Sequence, residues 1–301
     1  MTLLAVAGAV TRWVLLAAVL VSTGAAAFRF LIIPRGAPDD DARRALERRA
    51  AALGRTAVLC ALIAVLARLP LQLSEIRDPE LPLGPQAQVL VLHTLWGKVW
   101  IGQVVLVLAT LAAFTLARAG GRAAWVMAGA CSVLLAVTPA LSGHAIGSER
   151  MPGLAVIADV LHALGAGCWL GAMLALFTGL AVLHQRGASS LGGHLVAAFS
   201  PLAIGAAILV SATGVVSSWL HLGALTPLWQ SRYGVTLVVK LAAVSVMGLL
   251  GLYNWRRAGP ALKASGDLGP MRRTIRSELV VGALVLAVTA ILVATPPPGS
   301  E

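Results

Sequence analysis

The sequence predicts an all-α integral membrane protein of about eight transmembrane helices. Two observations carry that expectation. Of the 301 residues, 58% are hydrophobic and only 12% are charged, whereas soluble domains carry roughly a quarter charged residues. Apolar runs of about 20 residues also recur along the whole length, enough to cross a hydrocarbon core of about 30 Å. With no water to satisfy the backbone in that core, runs this long and continuous are helices rather than barrel strands.

Taken in order, the apolar runs place spans at 13–33, 51–73, 95–117, 123–143, 154–183, 195–220, 234–255 and 277–295. The first run has Arg12 before its main stretch and no small-residue cleavage site followed by a soluble domain, which reads as a retained helix. The stretch "PDDDARRALERRAAALGR" after it reads as a topology signal with a helical extension. The whole is read as one polytopic domain, residues 1–301. A faint internal echo divides it: "LWGKVWIGQ" at the third span resembles "SRYGVTLVVK" at the seventh. In each, glycine follows an aromatic residue (Trp96-Gly97, Tyr233-Gly234), with Gln103 and Lys240 six positions on. The echo suggests two parallel four-helix halves, residues 1–143 and 144–301.

Charge sets the expected orientation. Arg35, Arg43, Arg44, Arg48, Arg49, Arg55, Arg118, Arg122, Arg186, Arg256, Arg257, Lys263, Arg272, Arg273 and Arg276 fall in loops on one side, against Arg77, Lys98, Arg150 and Arg232 on the other. That split of 15 to 4 puts the Arg-rich loops in the cytoplasm and both termini in the periplasm. The net charge of +11 is thus a topology signal, and a nucleic-acid role is not expected. Cys60, Cys131 and Cys168 all lie in apolar runs with no CxxC, so neither a disulfide framework nor a zinc ribbon is expected.

Histidine raises the chemical question, because imidazole in hydrocarbon needs a partner. His162 sits in "ADVLHALGAGCWLGA", about 12 Å into the fifth span, and His144 lies just across a short polar turn. On a straight helix His162, Ala166, Trp169 and Met173 share one stripe, and Asp159 borders it as an acceptor for the ring N–H. His144 and His162 are therefore candidate ligands in one outward-opening cavity, with His221, Met151 and His93 as additions. Imidazole with thioether suits copper better than magnesium or calcium. The bland readings are interfacial histidines at the rim (His93, His184, His194) and a helix-to-helix hydrogen bond at His162. Lys240 reads as a charge partner of Asp159, a proton-coupling residue, or a snorkelling cation.

The segments "SGHA", "ADVLHALGAGCWLGA", "FSPLAIGAAILVSATGVVSSW", "LTPLWQSRYGVTLVVKLA" and "LYNWRR" resemble the copper resistance protein D family of bacterial inner-membrane proteins. The resemblance is firm over Ser142 to Arg257 and looser through "RWVLLAAVLVSTGAAAFR" and "TLWGKVW". It implies copper movement across the inner membrane, usually inward, alongside a small periplasmic copper-binding protein of the copper resistance C type. The chain ends in "ATPPPGSE" with no fused domain of that kind, so such a partner is expected to be separate. With no MxxM or MxM, a thioether relay is not expected, and no GxxxxGK[ST] is present, so transport is expected to be passive or ion-coupled. Two rival readings stand beside a copper transporter: a haem-binding redox protein with histidines on facing helices as axial ligands, and a non-transporting partner of a periplasmic copper chaperone.

Overall fold

The computed structural model describes residues 3–37, 39–142, 151–222, 224–265 and 267–295. Among them, eight helices are long and apolar enough to cross a membrane: α1 (Leu3–Gly36), α2 (Asp40–Ile76), α3 (Leu95–Ala119), α4 (Arg122–Leu141), α5 (Pro152–Gln185), α6 (Ser189–Leu222), α7 (Arg232–Leu262) and α8 (Leu268–Leu292). The protein is an all-α, multi-pass membrane protein.

All eight expected spans are present, but several helices outrun them. The apolar-run criterion counts only hydrocarbon, whereas a helix continues into polar flanks until a cap stops it. Asp39 caps α2, accepting from the Ala42 N–H at 2.9 Å, so the Arg-rich stretch after α1 is helical as expected. Pro152 occupies the first turn of α5, a position that suits proline because its missing N–H needs no partner there. His162 therefore lies ten residues into α5, about 15 Å along the axis. Arg12 falls inside α1 rather than before it.

The two inner helices are α1 and α5. Small residues explain how they meet: Ser22, Thr23, Gly24, Ala25, Ala26 and Ala27 of α1 are all buried. A Cβ on Gly24 would overlap the Gly171 backbone, and one on Gly171 would overlap the Leu20 carbonyl. Backbones at van der Waals contact are how helices bind in lipid, where tails compete for any larger apolar side chain. At the crossing, α5 takes a π turn over Gly167–Gly171. Around this pair, α1 packs on α2, α4, α6 and α8, and α5 packs on α6, α8, α2 and α4. The outer helices α3 and α7 pack on α4 and α8. Large apolar side chains such as Ile208, Val215 and Leu249 point outward, as lipid requires.

One seam differs between the two sides. Helices α2 and α3 pack along their length, whereas α7 packs on α8 and meets α6 through its last segment, Gly259–Ser265. Between the upper parts of α6 and α7 there is no comparable packing among the described residues.

Replacing Gly171 with Leu should lower the thermal unfolding midpoint in detergent, since overpacking costs about 1–3 kcal/mol or more. Gly248→Leu, at a position with no atom within 4 Å of an added Cβ, should leave the midpoint unchanged.

Candidate functional site

Three helical stripes face the loose seam. On α6, Thr213, Ser217 and His221 follow at four-residue spacing; on α5, Asp159 and His162 lie three apart; on α7, Tyr233 and Lys240 lie seven apart. Each spacing keeps its members on one helix face.

The hydrogen bonds determine the state of both imidazoles. The Thr213 hydroxyl donates to the Leu209 carbonyl at 2.7 Å, and its oxygen lies 3.1 Å from His162 Nδ1. The Val210 carbonyl is also within 3.2 Å of the Thr213 hydroxyl; with its one proton given to either carbonyl, Thr213 accepts here and His162 donates from Nδ1–H. His221 Nδ1 stands 2.7 Å from the Ser217 carbonyl oxygen, which can only accept. With these directions both neutral rings are Nδ1–H tautomers, and among the described residues no side-chain hydrogen bond is made at Nε2 of either. Fixing one ring nitrogen as donor is how proteins prepare the other as a metal ligand.

The remaining members complete the face. Ser217 donates to the Asp159 carboxylate at 3.1 Å. His221 stacks on Tyr233 with ring centroids 6.1 Å apart, bridging the end of α6 to the start of α7. Lys240 lies within electrostatic reach of Asp159, yet no ion pair within 4 Å joins them among the described residues. Along α6, His221 and Thr213 are eight residues apart, so His162 sits about 12 Å below His221.

The structure thus brings together His162, His221, Asp159, Tyr233 and Lys240. It corrects the expected partner of His162, which is Thr213. Asp159, almost a turn earlier on α5, reaches Ser217 instead. It also breaks the expected stripe: the π turn over Gly167–Gly171 adds a residue to one turn, and Trp169 and Met173 beyond its start are buried in the main core. Met151 is exposed at the start of α5 and His93 is exposed before α3; neither has a side-chain hydrogen bond to this face among the described residues. His144 lies outside the described residues. No three His, Cys, Asp or Glu side chains converge on one point among the described residues.

Sequence reasoning missed Thr213 and Ser217 as site residues. The signal was available: Thr213, Ser217 and His221 repeat every fourth position and so share one face of α6.

The echo between α3 and α7 is exact in hydrogen bonding. Thr94 Oγ1 accepts from the Gly97 N–H at 3.0 Å and donates to the Leu90 carbonyl at 2.6 Å. Ser231 Oγ accepts from the Gly234 N–H at 2.9 Å and donates to the Pro227 carbonyl at 2.7 Å. A Cβ at Gly97 or Gly234 would strike the preceding turn, which explains the glycine in both. Six residues on, Gln103 holds Arg68 of α2 at 3.1 Å and Thr138 of α4 at 2.7 Å, where Lys240 faces Asp159.

With this geometry in place, comparison with known proteins decides the family. The description "Copper resistance protein D-like, N-terminal domain" matches residues 3–154, and "Copper resistance protein D" matches 193–292. The chain belongs to the copper resistance protein D family. It is similar to a protein named copper transport protein CutJ from Bacillus subtilis (strain 168), 26% identical over 217 residues, 68% of this chain and 38% of that relative. The chain thus spans well under half of that relative's length. No solved structure matches it. Thr213, Gly214, Tyr233, Gly234, Lys240 and Asn254 all fall within the 193–292 match.

Thr213→Val should leave His162 Nδ1–H without its acceptor, at about 1–3 kcal/mol, and Thr213→Ser should restore it. Imidazole NMR of isotope-labelled protein should report the Nδ1–H tautomer at His162 in wild type and Thr213→Ser, and its loss in Thr213→Val.

Proposed function

We propose that this chain carries copper across the bacterial inner membrane, from periplasm to cytoplasm, by way of the face between α5, α6 and α7. The observation that carries the reading is the pair of imidazoles, His162 and His221, each bonded through Nδ1 with no side-chain hydrogen bond at Nε2 among the described residues, on a face they share with Asp159. Membership of a copper resistance family supplies the metal. In this reading the two histidines are successive stations rather than one site, since they lie about 12 Å apart along α6. Copper arrives at His221, where the Tyr233 ring closes the outer end of the seam, and passes inward to His162. The Asp159 carboxylate offsets the cation's charge, and Lys240 provides the countercharge when the path is empty.

The Arg-rich loops support the orientation: both termini periplasmic and the stations near the periplasmic end. The matched caps of α3 and α7 support two parallel four-helix halves, 1–143 and 144–301, the second of which carries the path. A separate periplasmic copper-binding protein of the copper resistance C type is the proposed donor, and His144 and Met151, before α5, are the proposed receiving residues.

The test is copper per chain after equilibration with Cu(I) and removal of excess metal. Wild type should retain copper, and His162→Ala and His221→Ala should each lower the amount retained, by separate stations. Copper retained in full by both variants, alone and combined, would rule out the path. Uptake into proteoliposomes should fall on acidification, because protonation removes the Nε2 lone pair that would hold copper. Uptake that is insensitive to acid would count against imidazole ligation.

A further inference from the structure

A second buried polar pair lies far from the histidines, toward the end of the bundle that carries the Arg-rich loops. Glu278 of α8 is only 3% exposed, ten residues or about 15 Å into its helix. Its hydrogen-bond partner is Asn254 of α7, whose Nδ2 donates to Oε1. Asn254 opens the π turn Asn254–Ala258, fourteen residues or about 21 Å down α7 from Lys240.

Two features of the pair point to a ligand. The first is the missing countercharge. Its own helix carries Arg272, Arg273 and Arg276; α7 carries Arg232, Tyr233, Lys240, Tyr253, Arg256 and Arg257; α1 carries Arg12, Arg29 and Arg35; α5 carries Asp159, His162, Cys168 and His184. None of these makes an ion pair with Glu278 among the described residues. Arg29 is held by Glu47 at 3.0 Å, while Arg272 and Arg256 lie over the rings of Phe177 and Trp255. The second is an orphan acceptor: Asn254 Oδ1 is buried with no hydrogen-bond partner among the described residues. A buried amide oxygen without a donor is costly, as is a carboxylate in the membrane without a cation. One particle relieves both. A proton on Glu278 neutralises the carboxyl and provides the O–H donor that the amide oxygen lacks, as in a paired acid and amide.

We propose that Glu278 and Asn254 form a proton-binding site, loaded and emptied from the Arg-rich end of the bundle and coupled to the cargo path through α7. The site takes a proton rather than copper, because its donors are hard oxygens with no imidazole or thiolate. Lys240 and Asn254 lie on one helix, so a change in charge at either station acts on the same element. The coupling rests on the copper reading above; the proton site does not.

Infrared difference spectra of the purified protein between acidic and alkaline pH test the site without copper. Wild type should show a protonated-carboxyl band that titrates. That band should be lost in Glu278→Gln and kept, shifted, in Glu278→Asp, with Asp159→Asn as the control that leaves it in place. Identical spectra for wild type and Glu278→Gln, or a band that never titrates, would overturn the site. In proteoliposomes, copper uptake should depend on the pH of the compartment that the Arg-rich loops face, and Glu278→Gln should abolish that dependence while copper bound per chain is unchanged. A dependence that persists in Glu278→Gln would overturn the coupling, and absence of copper uptake in wild type would overturn the transport reading while the infrared result stands.

Discussion

Backbone lies against backbone where α1 crosses α5, and most other placements in the bundle follow from that contact. Gly24 and Gly171 leave no room for a side chain at the crossing, and Thr23 faces Gly167 just beside it. Because lipid tails satisfy apolar side chains as well as another helix does, this close approach supplies association that hydrophobicity cannot. The π turn of α5 sits at the same place, so the outer part of α5, with Asp159 and His162, is set in rotation relative to the buried part that holds Trp169 and Met173. A helix wound regularly through the crossing would present a different face to α6.

With the inner pair set, the bundle places α3 and α7 on its flanks with the same capping device and different consequences. On one flank Arg68, Gln103 and Thr138 link α2, α3 and α4, and Trp100 donates to the Val65 carbonyl at 2.8 Å. That seam is zipped shut. On the other flank α6 and α7 meet through the His221–Tyr233 stack at one end and through Gly259–Ser265 at the other. Polar side chains fill the stretch between. Intramembrane polar groups are costly unless satisfied. In the shut seam Arg68, Gln103 and Thr138 satisfy one another, while among the described residues no side-chain hydrogen bond is made at Nε2 of either imidazole of the loose seam. The same architecture thus gives a structural flank and a flank with unused chemistry.

Much of the architecture was legible in the chain because hydrocarbon imposes length and apolarity directly on sequence. Eight spans, the helical Arg-rich extension after α1 and the aromatic-glycine starts of α3 and α7 all come from local rules: a core thickness, a cap, a steric limit at one Cα. The site was legible in part. His162, His221, Asp159, Tyr233 and Lys240 stood out as polar residues in apolar runs, and they do share a face. The partner of His162 did not, because Asp159 is near in sequence while Thr213 is near only after α6 is docked. Glu278 escaped notice because it sits beside Arg272, Arg273 and Arg276, where a carboxylate reads as one more loop charge.

By itself, then, the sequence determined the class of protein, the number of crossings and the residues whose polarity is out of place in a membrane, since each depends on how a residue or short run interacts with lipid and water. Only the tertiary structure decided which of those residues meet. That depends on helix rotation, and rotation depends on a glycine contact and a π turn that shift every later side chain by a fraction of a turn. Periodicity cannot foresee such a shift. The imidazole tautomers and the orphaned oxygen of Asn254 belong to the same level: they are properties of pairs of helices, and neither helix carries them alone.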